Sequence, residues 1–220
     1  MSDRAALFDM DGTLVDTNYL HVVAWWEAFR QAGHQVPTAQ IHRAIGMGSD
    51  KLLDHLLGDA RDHRRDAEIT GAHKALYGTY SGTLAPLDGA ADLLRAVAAR
   101  GRRIVLATSA DAGELATMRA ALDADDVITD ATSADDVSTS KPAPDLVEQA
   151  LDRAGVPADR AVFVGDTIWD VTAAARAGVP CIGLLSGGIS RPELEQAGAT
   201  AVYQDPRALL RATDSSPLAT

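Results

Sequence analysis

Short apolar runs interrupt this chain at long intervals. They are ALF before Asp9, RRIVLAT (102–108), DVIT (126–129), RAVFVGD (160–166), PCIGLLSGG (180–188) and a weaker TAVY (200–203). Short, apolar and followed by a turn, each predicts a strand. Between them apolar positions recur at helical spacing, in 89–100 (GAADLLRAVAAR), 143–154 and 167–177. These three segments stop at Gly101, Gly155 and Gly178, and glycine just past a helix tolerates the left-handed conformation that ends it. Alternating strands and helices predict an α/β fold, a parallel sheet covered by helices on both faces.

One stretch departs from this rhythm. From Asp16 to about Leu84 no strand pattern appears and helical patterns follow one another. Residues 19–32 carry Leu20, Val23, Trp26 and Phe29 and stop at Gly33. Thr38 is placed to cap a short helix to Ile45, Ser49 another through Leu57, and 60–80 reads as a longer helix interrupted by Gly71 and Gly78. The expected division is a core domain of 1–15 and 85–220 with an inserted helical domain at 16–84.

With 220 residues, 46% of them apolar, the chain can build a core domain with an insert. The N-terminus MSDRAALFD has no basic segment followed by an apolar stretch, no apolar run reaches membrane-spanning length, and Cys181 stands alone. A reducing cytoplasm and no membrane are expected. Net charge is −11 with no basic stripe, which argues against nucleic acid as a partner. The acidity is uneven: 25 Asp against 6 Glu, and only 3 Lys against 17 Arg.

That surplus of Asp bears on the first candidate for chemistry, DMDGT at 9–13. Alternation along an extended strand would point Asp9 and Asp11 the same way, into the crevice beyond the strand ends. A solvated turn is an equal reading of Asp-Gly-Thr, and the motif arises by chance in roughly 1 in 60 chains of this composition. Other strand ends add to it. Thr108 and Ser109 offer hydroxyls to a phosphate, Ser109 equally as a helix cap; Lys141 sits before a proline; and GDTIWD places Asp166 and Asp170 after another apolar strand. Oxygen donors of this kind suit magnesium rather than zinc, and no His or Cys spacing suggests a soft-metal site. A cation answers a need, because two unit charges about 4 Å apart repel by about 4 kcal/mol at an effective dielectric of 20.

The ordered set DMDGT, Thr108, Lys141-Pro142 and GDTIWD resembles the haloacid dehalogenase superfamily, whose Rossmann-like core carries these motifs in this order. The helical insert is similar to the small cap of the phosphoglycolate-phosphatase and β-phosphoglucomutase branch. The resemblance implies a magnesium-dependent phosphatase acting on a small phosphorylated metabolite, as a monomer or small homo-oligomer. It implies Asp9 as nucleophile and Asp11 as general acid and base, protonated as substrate binds. Thr108, Ser109 and Lys141 would hold the phosphoryl group, with Asp9, the Asp11 carbonyl, Asp166 and Asp170 around the metal. Asp11 argues against dehalogenation, which lacks that second aspartate. Phosphonatases and P-type ATPases carry other residues in this motif.

A hexose-phosphate mutase is the enzyme alternative, since His21 and Lys74 stand near functional cap positions of such mutases. The cap loop IGMGSDKLL lacks the arginine they expect. A phosphate sensor without turnover is a further alternative, disfavoured by intact Asp9, Asp11 and Asp166. The cap residues expected to meet substrate are His21, Gly48 and Lys51, the last two in a glycine-rich loop that alternatively is a plain turn with Lys51 in solvent.

Overall fold

The structure, a computed structural model, describes residues 3–58 and 61–219. Six strands, β1 (Ala5–Phe8), β2 (Arg103–Ala107), β3 (Ile128–Thr132), β4 (Ala161–Gly165), β5 (Cys181–Leu184) and β6 (Ala201–Tyr203), form one sheet in the order β3-β2-β1-β4-β5-β6. Every adjacent pair is parallel. The α/β sheet expected from the sequence is the one observed.

Helices α1 (Asn18–Gln31), α2 (Thr38–Ala44), α3 (Ser49–Leu57) and α4 (Asp66–Gly78) lie between β1 and the rest of the sheet in sequence. The others are α5 (Ala90–Ala99), α6 (Ala112–Leu122), α7 (Asp145–Ala154), α8 (Ile168–Arg176), α9 (Arg191–Ala197) and α10 (Pro206–Arg211). Strand β1 shows how the two faces are built. Ala6 and Phe8 pack with Leu93 of α5, Met118 of α6 and Leu209 of α10. Ala5 and Leu7, pointing the other way, pack with Val147 of α7, Val171 of α8 and Leu194 of α9. The first four helices gather a third apolar cluster of their own around Trp25, Phe29, Ile41, Leu52 and Ile69. The two chain passages joining this cluster to the sheet run side by side. Asp16 N–H donates to Ala85 O at 3.0 Å, and Leu87 N–H to Leu14 O at 2.9 Å.

Several boundaries differ from the sequence pattern. The strand expected at 126–129 is β3, displaced toward Thr132, because β3 is an edge strand whose Asp130 and Thr132 break the apolar run. Helix α2 is capped at Pro37 and α3 at Gly48, one residue before Thr38 and Ser49. The long helix expected from residue 60 is α4, preceded by a 3₁₀ turn at His63–Arg65; Ala60 lies outside the described residues. Helices α6, α9 and α10 are additional. Two of them open on capping boxes, Asp111 with Glu114 and Ser190 with Glu193, signals present in the sequence.

Strand order reverses at β1. The chain runs outward from β1 through β2 to β3, then returns to place β4 on the other side of β1. In open parallel sheets the crevice at such a reversal, beyond the carboxyl ends of the strands, is where ligands bind. Asp9 follows β1, Thr108 follows β2 and Asp166 follows β4, so all three stand at that edge.

Candidate active site

The floor of the crevice is a cluster of buried charges. Lys141 is fully buried, with Nζ 2.5 Å from Asp9 Oδ1 and 2.7 Å from Asp170 Oδ1. Asp166 completes the group: carboxylate oxygens of Asp9, Asp166 and Asp170 lie within 4.8 Å of one another. Asp166 accepts hydrogen bonds from the Thr13 hydroxyl at 2.9 Å and the Asn18 amide at 2.8 Å. Asp170 closes the first turn of α8, accepting from Thr167 N–H at 3.1 Å and Thr167 Oγ1 at 2.6 Å. Full burial separates Asp170 from the exposed first-turn residue that a capping role alone would give.

Charge here is unbalanced. Burial raises the Asp9 carboxyl to about 8, against the pull of Lys141 and with help from Asp170 and Asp11. Burial, Asp170 and Asp9 likewise push Asp166 well above the carboxylate range. Burial opposes the charge on Lys141, but Asp170 and Asp9 outweigh it and hold the ammonium above its ordinary value. One lysine therefore faces three buried carboxylates, and burial with mutual repulsion disfavours the charged forms of Asp9 and Asp166. An all-oxygen set of this charge suits a hard divalent cation.

Asp11 belongs to a different environment. Strand β1 ends at Phe8, so strand alternation no longer governs the Asp9–Asp11 turn, and the two carboxylates face different partners. Asp11 Oδ1 accepts from Thr17 Oγ1 at 2.6 Å and lies 3.1 Å from His21 Nε2; Oδ2 lies 3.5 Å from Thr108 Oγ1. Burial pushes its carboxyl up, but His21 and Thr17 outweigh burial and hold it below the ordinary range. The protonated Asp11 expected from its carboxylate neighbour is thus not the form these contacts favour. Its carboxylate is not one of the three that gather within 4.8 Å of one another.

The turn that carries Asp11 depends on Gly12, whose φ is +71°. A Cβ there would sit 2.3 Å from Asn18 Nδ2 and 2.6 Å from Asp166 Oδ2, so only glycine lets the turn lie against the cluster.

The helices contribute a wall of rings. His21 Nδ1 is 3.1 Å from His73 Nε2; Tyr77 stacks on His21 at 3.8 Å and Trp25 on His73 at 4.0 Å. Burial, reinforced by His21, drives the His73 pKa down to about 2, so its imidazole is neutral. A cavity of about 440 Å³ opens between this wall and the sheet edge, bounded by Asp11, His21, Trp25, His73, Glu114 and the loop 45–50. Gly48 in that loop lies against the segment carrying Lys141: a Cβ on it would meet Ser140 Cβ at 2.4 Å, and Ser140 Oγ donates to Asp50 at 2.6 Å.

Of the residues expected from the sequence, Asp9, Lys141, Asp166 and Asp170 come together directly, with Asp11 and Thr108 beside them. Ser109 lines the cavity and donates to Gly46 O of the helical segment at 3.2 Å; Asp111, not Ser109, caps α6. His21 reaches Asp11. Lys51 does not line the cavity; it is partly exposed and lies 3.8 Å from Asp50. Thr13, Thr17, Asn18 and His73 were given no role from the sequence. Thr13 ends the DMDGT motif and Thr17 follows it by four residues, so both were within reach of the motif, whereas nothing in the pattern of α4 marks His73.

Comparison with known proteins agrees with this geometry. The sequence pattern of the haloacid dehalogenase-like hydrolases matches residues 4–178. A phosphoglycolate phosphatase of Rhodospirillum rubrum is 31% identical over 215 residues, covering 92% of this chain and 87% of the relative. A hydrolase from Pseudomonas syringae superposes with a TM-score of 0.92 at 35% identity, covering 96% of this chain and 98% of the other. The structure of CbbY from Rhodobacter sphaeroides in complex with xylulose-(1,5)-bisphosphate superposes with a TM-score of 0.78 at 26% identity, over 95% of this chain and 96% of the other. A shared sequence pattern over most of the chain and a shared fold over nearly all of it make this protein a member of the haloacid dehalogenase-like hydrolases.

Proposed function

We propose that the protein is a magnesium-dependent phosphatase that hydrolyses a small-molecule phosphate monoester through a phosphorylated Asp9. The observation that carries the reading is Lys141, fully buried between Asp9 and Asp170 with Asp166 alongside, while Asp11 stands on the cavity side. Such a floor has little structural purpose, because buried ion pairs are costly to desolvate and weak as stabilisers. It is suited to receiving a dianion next to a nucleophile. The match to a phosphoglycolate phosphatase over most of the chain supports the same class. Residues 16–84 would be the cap that closes over the site.

An Asp9 carboxylate oxygen attacks phosphorus, the bond from phosphorus to the ester oxygen breaks, and the leaving alcohol takes a proton from Asp11. Water then attacks the aspartyl phosphate and gives its proton to the Asp11 carboxylate. Inorganic phosphate departs and Asp9 is regenerated. Thr17 and His21 favour ionised Asp11, the form needed in the second half. Lys141 and the Thr108 hydroxyl stabilise the equatorial oxygens of the transferring group. Asp9, Asp166 and Asp170 would hold the magnesium ion, which when bound supplies charge neutralisation between the carboxylates and the phosphoryl group.

Hydrolysis of p-nitrophenyl phosphate tests this. Turnover should require magnesium, vanish with EDTA and return on adding the metal, and Asp9→Asn should lower kcat roughly 10,000-fold. Wild-type rates in Asp9→Asn would remove Asp9 as nucleophile. A mutase would isomerise β-glucose 1-phosphate faster than it hydrolyses it, and a sensor would bind phosphate without releasing product.

A further inference from the structure

Within this phosphatase reading, the cavity that would receive the leaving group has a net negative lining. Besides Asp11, the carboxylates of Asp50, Asp111, Glu114 and Asp135 line it. Lys74 is the one lysine on its wall among the described residues, and no arginine lines it. That lysine is already engaged, with Nζ 2.8 Å from Asp111 Oδ2. The lysine of the floor is engaged too, with Asp9 and Asp170. Lys51, which could have answered an anionic substrate, lies off the wall.

Beside the hydroxyls of Ser49 and Thr70, the cap side offers the imidazole of His73. It is 6% exposed and neutral, and its Nε2 is occupied by His21 while its Nδ1 makes no hydrogen bond to any described residue. A neutral imidazole offers a hydrogen bond to a hydroxyl or amine but no charge to a carboxylate. Trp25, on the same wall, adds an apolar face. A cleft lined by one sign of charge within low-dielectric walls repels ligands of that sign.

We infer that the preferred substrate is a monophosphate whose leaving group carries no second negative charge, a hydroxyl- or amino-bearing alcohol rather than a phosphocarboxylate or a bisphosphate. The ester phosphate is the only anionic group the site accommodates; the rest of the molecule enters a wall of carboxylates, a neutral imidazole and an indole. This differs from the phosphocarboxylate named for the R. rubrum relative and the bisphosphate bound to R. sphaeroides CbbY.

Two esters of nearly equal size isolate the effect. 2-Hydroxyethyl phosphate and 2-phosphoglycolate differ in having CH₂OH or carboxylate beyond the ester carbon, and O-phosphoethanolamine puts an ammonium there. With magnesium at pH 8, kcat/KM for 2-hydroxyethyl phosphate and O-phosphoethanolamine should exceed that for 2-phosphoglycolate by about tenfold or more. The double variant Asp50→Asn/Asp135→Asn, which keeps acceptor oxygens for Ser140 and Ala112, should raise the 2-phosphoglycolate to 2-hydroxyethyl phosphate ratio about threefold or more. Turnover of p-nitrophenyl phosphate with 2-phosphoglycolate equal to or better than 2-hydroxyethyl phosphate would overturn the inference and leave the phosphatase reading standing. Loss of a 2-phosphoglycolate preference in Lys74→Gln would identify a lysine released from Asp111, and would overturn it equally. No turnover of p-nitrophenyl phosphate would overturn the phosphatase reading, and the inference with it.

Discussion

The floor and the wall of this crevice solve opposite electrostatic problems. The floor gathers Asp9, Asp166, Asp170 and Lys141 in burial, where Lys141 pairs with Asp9 and Asp170 while Thr13, Asn18 and Thr167 donate to Asp166 and Asp170. The wall stacks Trp25, His73, His21 and Tyr77, and reaches Asp11, which stands beside the floor, through His21. Asp9 and Asp166 follow strands buried on both faces, Lys141 stands in the loop before α7 and Asp170 in the first turn of α8, whereas the wall residues sit on helices α1 and α4. The floor thus concentrates the charged groups, and the wall presents rings to the cavity.

If the comparison is right, substitutions on the two sides should differ in size and in kind. The largest stability effect belongs to the floor. Lys141→Ala leaves three carboxylates without their internal cation, and breaking a buried pair from one side costs about 3–5 kcal/mol. Urea denaturation in EDTA should show that loss, and saturating magnesium should recover more of it in the variant than it adds to wild type. An unchanged denaturation midpoint would mean that the floor charges are neutral in the folded state.

At the junction, His21→Asn should lower kcat roughly tenfold, because Asp11 loses its hydrogen-bonded partner while Asp9 and Lys141 stay in place. The sign of the pH effect follows from the contact. His21 holds the Asp11 pKa down, so removing it raises that pKa and moves the alkaline limb of kcat/KM, above which Asp11 no longer carries the proton it donates, to higher pH. An alkaline limb that stayed in place while kcat fell would leave His21 a packing residue alone.

The smallest effect lies in the wall. The His73 pKa is depressed to about 2 in the folded protein, so its contribution to stability is complete above the unfolded pKa near 6.5. Below that pH the unfolded chain takes up a proton that the folded one refuses, and stability falls. Between pH 8 and 5.5 wild type should lose about 1.4 kcal/mol more than His73→Phe, read from denaturant midpoints at each pH. Parallel curves for the two proteins would place His73 in contact with water.

Much of this was legible in advance. The periodicity of 2 followed by 3.6, with glycine stops, marks the alternating core, and the absence of strand patterns marks the helical segment. The floor was legible for a related reason: a carboxylate at the end of an apolar strand is conspicuous, and DMDGT and GDTIWD repeat the construction. Edge strand β3 was misplaced because an exposed edge does not need an apolar run. His73 was invisible because its neighbours Trp25 and Tyr77 are helical residues of ordinary spacing, and only packing of α1 on α4 turns them into a stack.

By itself, then, the sequence determined the sheet, the run of helices after β1 and the residues of the buried charge cluster. Those follow from local hydrogen-bonding periods and from the need to end buried strands in turns. Tertiary structure decided which charges are already paired. Lys74 meets Asp111 across 37 positions and Lys141 meets Asp9 across 132, while Lys51 remains beside Asp50. Whether a cation is free to receive a substrate depends on distances between chain segments far apart in sequence, and only folding sets them.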